Sequence, residues 1–182
     1  VSRGEFFSIT MIDGHFYGRI IDIVRNGSKL MILAAGMTMI LATGGTDISV
    51  GSVMAISGAI ACSIVNGNIL PGLGGNVAAA IIISIIAGII CGLWNGFLVA
   101  KIKIQPIVAT MILMVAGRGI AQLITEGKIV TITSEAYYFI NGGYILGLPF
   151  PLFIVLFLVG LLVLFTGKTA FGLFLESIGC NQ

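Results

Sequence analysis

From Val77 to Ala100 the chain runs without a single charged residue, and that stretch limits what the rest can be. A helix needs about 20 apolar residues to cross the roughly 30 Å hydrocarbon core of a bilayer. Val77–Ala100 has that length and lacks the alternation that a barrel strand requires. Further apolar runs stand at Leu30–Thr43, Ile48–Val65, Ile107–Thr125 and Leu148–Thr166. Together they predict an all-α fold, a polytopic transmembrane helical bundle of about five spans, one interrupted at Gly44–Gly51. Composition agrees, with 58% hydrophobic and only 9% charged residues, where soluble domains carry about 25% charged. Lipid is the expected solvent.

Residues 1–182 read as a single, incomplete transmembrane domain. A head over 1–29 carries a short interfacial helix near Gly18–Arg25, the bundle occupies 30–166, and 167–182 begins a cytoplasmic segment. The chain starts at Val1 and stops at Gln182 just after a basic turn, so an excerpt of a longer polypeptide is expected. Val1–Lys29 lacks the apolar core of a cleavable signal peptide. Lys101, Lys103 and Lys168 fall on one side of the five-span order, which the positive-inside rule assigns to the cytoplasm. Glu126–Gly147, with Tyr137, Tyr138, Phe139 and Tyr144 suited to the headgroup zone, then lies outside. Arg19, Arg25 and Lys29 in the head argue the other way. No basic cluster suggests nucleic acid. Cys62, Cys91 and Cys180 form no CxxC pair and read as small buried residues.

Three features carry chemistry. Gly88, Gly92 and Gly96 strip one helical face to backbone and predict close helix packing. Gly44-Gly45-Thr46-Asp47-Ile48-Ser49-Val50-Gly51 interrupts the apolar stretch. It is either a turn in which Asp47 caps the next helix or a broken helix whose freed backbone lines a wet path; both can hold together. Arg118 shares a polar-tinged face with Thr110, Met114, Gln122 and Thr125, while Ile112, Val115 and Leu123 lie on another. A charge at membrane depth points to a bundle interior or a pathway, unless it snorkels from the outer end. Asn95, beside Trp94, either joins helices or meets substrate.

Enzyme signals fail. Thr166-Gly167-Lys168-Thr169 looks like the end of a phosphate-binding loop, but Leu162 stands where that motif needs glycine. There is no HExxH, the one histidine, His15, lies outside every span, and Asp47 is alone among the spans where an intramembrane protease needs two carboxylates. No catalytic residue, metal or cofactor is expected.

The run Ala35-Gly36-Met37-Thr38 followed by Ala42-Thr43-Gly44-Gly45-Thr46-Asp47-Ile48-Ser49-Val50-Gly51-Ser52-Val53 resembles the signature of ribose/galactose-type ABC sugar permeases. Gly92-Leu93-Trp94-Asn95-Gly96 and Gln105-Pro106-Ile107-Val108-Ala109-Thr110 are similar to two further stretches of that family, in order. Ile112–Gly119 and Gly167–Gly172 look most like the galactofuranose-type permeases. The family usually has an apolar residue where Thr46 stands and Phe where Ile107 stands. The resemblance implies a multi-pass protein of the bacterial inner membrane. Its partners are a second permease subunit, cytoplasmic ATP-binding subunits and an extracytoplasmic sugar-binding protein. ATP is then hydrolysed on a separate subunit. Candidates for the pathway or its gate are Asp47, Ser49, Asn95, Thr110, Arg118 and Gln122, with Gly44, Gly45 and Gly51 forming the break. Glu176, Gly179 and Asn181 are implied to begin the ATPase-coupling segment. The competing readings are an ion-coupled transporter or channel, for which only Asp47 offers an intramembrane relay, and a non-transporting scaffold.

Overall fold

The computed structural model describes residues 10–12, 15–69, 72, 74–132, 134–145 and 147–180. The order is β1 (Thr10–Ile12), β2 (His15–Tyr17), α1 (Arg19–Ala42), α2 (Val50–Val65), α3 (Val77–Ala100), α4 (Pro106–Ile124), α5 (Glu135–Gly142), β3 (Tyr144–Ile145), β4 (Leu148–Pro149), α6 (Phe150–Lys168) and α7 (Ala170–Cys180). These gather into two compact units, one of Val1–Gly44 with Glu135–Gln182 and one of Gly45–Ser134.

In the first unit α1 packs with α6 and α7. It is one unbroken helix, so the expected interfacial helix near Gly18–Arg25 and the span from Leu30 are a single element. The physical reason is that its early charges need no interruption: Asp22 and Lys29 are exposed, and Arg25 pairs with Asp22 one turn away at 3.3 Å. The helix stops where Gly44 takes a left-handed φ of 73°, the backbone that glycine adopts without penalty. Helix α6 follows Pro149 and has Pro151 in its first turn, where a missing N–H costs nothing. Two small antiparallel hairpins complete the unit, pairing Thr10 with Tyr17 and Tyr144 with Pro149. Part of the expected loop Glu126–Gly147 is therefore ordered as α5 and a hairpin, held to α6 by the Phe139–Phe150 ring contact at 5.5 Å.

The second unit is built around α2. This helix packs on both α3 and α4 and buries Ser52, Ile56, Ala59 and Ser63 along one stripe at steps of three and four. Helix α3 opens on Asn76, whose side chain accepts the Ala79 N–H at 3.1 Å, a regular N-cap. It returns antiparallel to α2, since Gly75 N–H reaches Val65 O at 3.0 Å at one end and Asn95 meets Ser49 at the other. Helix α4, opened by Pro106, runs parallel to α2. The turn Lys101–Gln105 and the segment after Ile124 thus lie at opposite ends of this unit.

By length and composition, α3, α4 and α6 can cross a membrane; α2 is apolar but shorter. Their outward residues, Ile85, Ile89, Leu93 and Phe97 on α3 among them, are exposed, and such a face needs lipid or another helix against it.

Buried Ser63 is a local flaw, because its hydroxyl has no hydrogen-bond partner. Ser63→Ala should therefore raise thermal stability slightly, by up to about 1 kcal/mol, read as a higher midpoint of unfolding in detergent.

Candidate functional site

Helix α2 has Ser49 as its N-cap, yet the Ser49 side chain makes no capping bond. Its hydroxyl turns back and donates to Asp47 Oδ1 at 2.6 Å, and the same oxygen accepts the Ser49 N–H at 2.7 Å. Asp47 therefore closes a tight turn ahead of α2, while the first turn of α2 goes without a side-chain cap. A carboxylate only accepts, and a serine hydroxyl has one proton to give. With that proton committed to Asp47, the Ser49 oxygen is free to accept, and Asn95 Nδ2 donates to it at 2.9 Å. Hydrogen bonds thus run one way, from Asn95 through Ser49 to Asp47. The chain is dry at its centre, with Ser49 at 0% and Asn95 at 9% exposure. Asn95 Oδ1 is buried without a partner, which costs about 1–3 kcal/mol.

One turn further along α2, Ser52 Oγ donates to Ser49 O at 2.7 Å and approaches Leu113 O of α4 at 3.2 Å. The helices can meet there because Gly117 faces them. A Cβ on Gly117 would sit 3.0 Å from Ser52 Cβ and 3.2 Å from Ile56 Cδ1. Ser52 and Gly117 stand in the family-like runs but are not among the expected pathway or packing residues. The available signal was the stripe Ser49, Ser52, Ile56, Ala59 and Ser63, the small-residue spacing of a close membrane-helix interface.

Of the pathway candidates, the structure brings Asp47, Ser49 and Asn95 together. Thr110 is buried, but its hydroxyl bonds back to Pro106 O and Ile107 O of its own helix. Arg118 and Gln122 are exposed and join no part of the polar chain. The packed face of α4 is Ala109, Thr110, Leu113 and Gly117, sharing only Thr110 with the polar-tinged one. The break itself holds, with no helix between Ala42 and Val50; Gly51 lies just inside α2 and exposed. The glycine ladder makes no close approach within the described chain: a Cβ at Gly88 would reach only Val53 Cγ1 at 4.0 Å, and Gly92 and Gly96 have nothing within 4 Å. Glu176 and Gly179 belong to α7 by backbone, while the Glu176 side chain and all of Asn181 lie outside the described residues.

The second unit thus pairs a short apolar helix, α2, with two helices long and apolar enough to cross a membrane, and joins α2 to α3 through a buried polar chain. The chain belongs to the family described as "Branched-chain amino acid transport system / permease component", which matches residues 19–182. It is 46% identical over 178 residues to the galactofuranose transporter permease protein YtfT of Escherichia coli, covering 97% of this chain and 50% of that protein. It is 37% identical to the fructose import permease protein FruF of Bifidobacterium longum, over 93% of this chain and 47% of that protein. The ribose import permease protein RbsC of Haemophilus influenzae is 32% identical, over 96% of this chain and 54% of its own length. The chain spans about half the length of the curated relatives it matches. No solved structure matches it.

Proposed function

We propose that the chain is part of the permease subunit of an ATP-driven, binding-protein-dependent importer of a pentose or hexose, with galactofuranose the first candidate. The observation that carries this reading is the 46% identity to a galactofuranose transporter permease along nearly the whole chain. In it, a second permease subunit completes the pathway in the bacterial inner membrane. Separate cytoplasmic subunits hydrolyse ATP, and a soluble sugar-binding protein delivers the cargo. Coupling to the ATPase begins at Glu176, Gly179 and Asn181.

Asp47, Ser49 and Asn95 form the gate. Closed, they tie the start of α2 to the far end of α3 through one neutral hydrogen bond, Asn95 to Ser49, at 2.9 Å. A bond of that kind contributes about 0.5–1.5 kcal/mol net, so water or a sugar hydroxyl can replace it during a transport cycle. Arg118 and Gln122, exposed on α4, are the pathway-wall candidates this reading keeps, whereas Thr110 is occupied by its own helix.

The test is uptake of labelled sugars into proteoliposomes holding the full-length permease, its ATPase and its binding protein. Accumulation should require both ATP and the binding protein. Uptake driven by an ion gradient alone would establish the ion-coupled alternative instead, and no uptake at all would favour a scaffold.

The same reading fixes a topology. Single cysteines replacing Lys103 and Ser134, in a background without native cysteines, should label from opposite sides, Lys103→Cys from the cytoplasm. The positive-inside rule and the placement of these positions at opposite ends of α4 support this. Labelling of both from one side would overturn it.

A further inference from the structure

At the other end of α2 from the Asp47–Ser49–Asn95 chain lies a cavity of about 600 Å³. It is bounded by residues 66–69 after α2 and by the last turn of α4 with the segment that follows. The volume falls within the roughly 300–1,000 Å³ of small-molecule sites, in an open cleft where Asn68, Leu123 and Thr131 are exposed.

Its walls are tied in place. Asn66 Nδ2 donates to Thr131 O at 2.9 Å, clasping the two segments that face each other across the cavity. Asn68 N–H and Ile69 N–H both donate to Ser63 O, at 2.9 and 3.3 Å. On the α4 side, Glu126 and Gly127 take left-handed φ values of 53° and 68°, which bring Gly127 N–H to Gln122 O at 2.8 Å.

The lining chemistry selects a ligand class. Asn68 and Thr131 line the cavity, and among the described residues their side chains hold no hydrogen bond. An amide and a hydroxyl can each donate and accept, so between them they suit a ligand that does both. Leu123 and Ile124 add apolar wall. The two charges cancel: Lys128 Nζ lies 2.6 Å from Glu126 Oε2. That pairing holds the Glu126 carboxyl below its ordinary range and raises the Lys128 ammonium above its own. With the acid lowered and the base raised, both stay charged across the neutral range, and the lining offers no surplus charge to a phosphate or a cation.

We propose that this cavity is a receiving site for a neutral monosaccharide, held by Asn68 and Thr131 with the sugar's C–H face on Leu123 and Ile124. The inference rests on the sugar-import reading above. In the orientation given there, the cavity opens on the extracytoplasmic side, where a binding protein releases its cargo before the sugar reaches the gate at the opposite end of α2.

The experiment is saturation-transfer NMR of D-galactose with the full-length permease in nanodiscs, without ATP or binding protein. The unaltered permease should give a saturable signal. Asn68→Leu with Thr131→Val should weaken it about tenfold, the loss expected from one or two hydrogen bonds, while Asn66, which clasps the walls, is left untouched. Galactose 1-phosphate should not compete. Each preparation is checked for unchanged thermal stability, and Thr131→Ser, which restores the hydroxyl, should recover binding relative to Thr131→Val. Binding undiminished in the folded double variant would overturn the site, as would competition by the sugar phosphate. Uptake by the complete importer is measured alongside. Import of galactose with no galactose bound here would sink the receiving site and leave the functional reading intact, whereas absence of any sugar import would sink both.

Discussion

Gly117→Leu should lower the midpoint of unfolding and the yield of assembled protein sharply, whereas Gly119→Leu, two residues along the same helix, should have a much smaller effect. A Cβ alone at Gly117 already meets Ser52 Cβ at 3.0 Å and Ser52 Oγ at 3.1 Å, so a leucine must drive α2 and α4 apart. Overpacking of a tight contact costs about 1–3 kcal/mol. Losing the approach of Ser52 Oγ to Leu113 O adds about 0.5–1.5 kcal/mol. A total of about 1.5–4.5 kcal/mol follows, a large share of the about 5–15 kcal/mol that holds a typical domain together. At Gly119 a Cβ would have nothing within 4 Å, so a side chain there starts into open space. Fluorescence-detected size exclusion and a thermal melt of the two variants would decide the matter. Equal behaviour would mean that the α2–α4 contact is not where the unit is held.

The second large effect is at Asp47. Asp47→Ala leaves the Ser49 N–H and hydroxyl without their shared acceptor and frees the hydroxyl proton to turn elsewhere. Bonds to a charged acceptor contribute about 1.5–3 kcal/mol each, so folded protein should fall clearly. Asp47→Asn keeps an acceptor oxygen and the size of the side chain but weakens the bond that commits the Ser49 proton. This variant should fold within about 1 kcal/mol of the unaltered protein and yet import sugar about tenfold more slowly, because the direction of the Asn95–Ser49–Asp47 chain is no longer imposed by charge. Uptake at the normal rate by well-folded Asp47→Asn would show that the carboxylate serves the turn alone.

What could be read from the sequence tracks how local each determinant is. Val77–Ala100 is matched residue for residue by α3, since an uninterrupted apolar run bounded by a capping asparagine and a lysine leaves no other boundary. The break before α2 was likewise announced by its paired glycines and Asp47. The start of α1 was not, because charges near Asp22 and Lys29 look like an edge in a hydropathy trace while being harmless on an exposed helical face. Asp47 makes a turn onto Ser49 rather than a cap on the first turn of α2, and the Ser49 hydroxyl accepts in turn from Asn95, 46 residues along the chain. Contacts of that separation leave no local trace. The glycine ladder of α3 shows the converse, a periodicity plain in sequence for which the described chain supplies no close partner.

Helix α2 has 16 residues and so rises only about 24 Å, against a hydrocarbon slab of about 30 Å. It packs on α3 and α4 along one stripe, while Gly51 near its start and Asn66 at its end are exposed. At one tip stands the Asp47 turn and at the other the polar segment around Asn66 and Asn68. An insulator is only as thick as its narrowest part. If the proposed pathway runs along α2, the barrier a polar solute meets there is several ångströms thinner than the surrounding bilayer, set by the length of one helix.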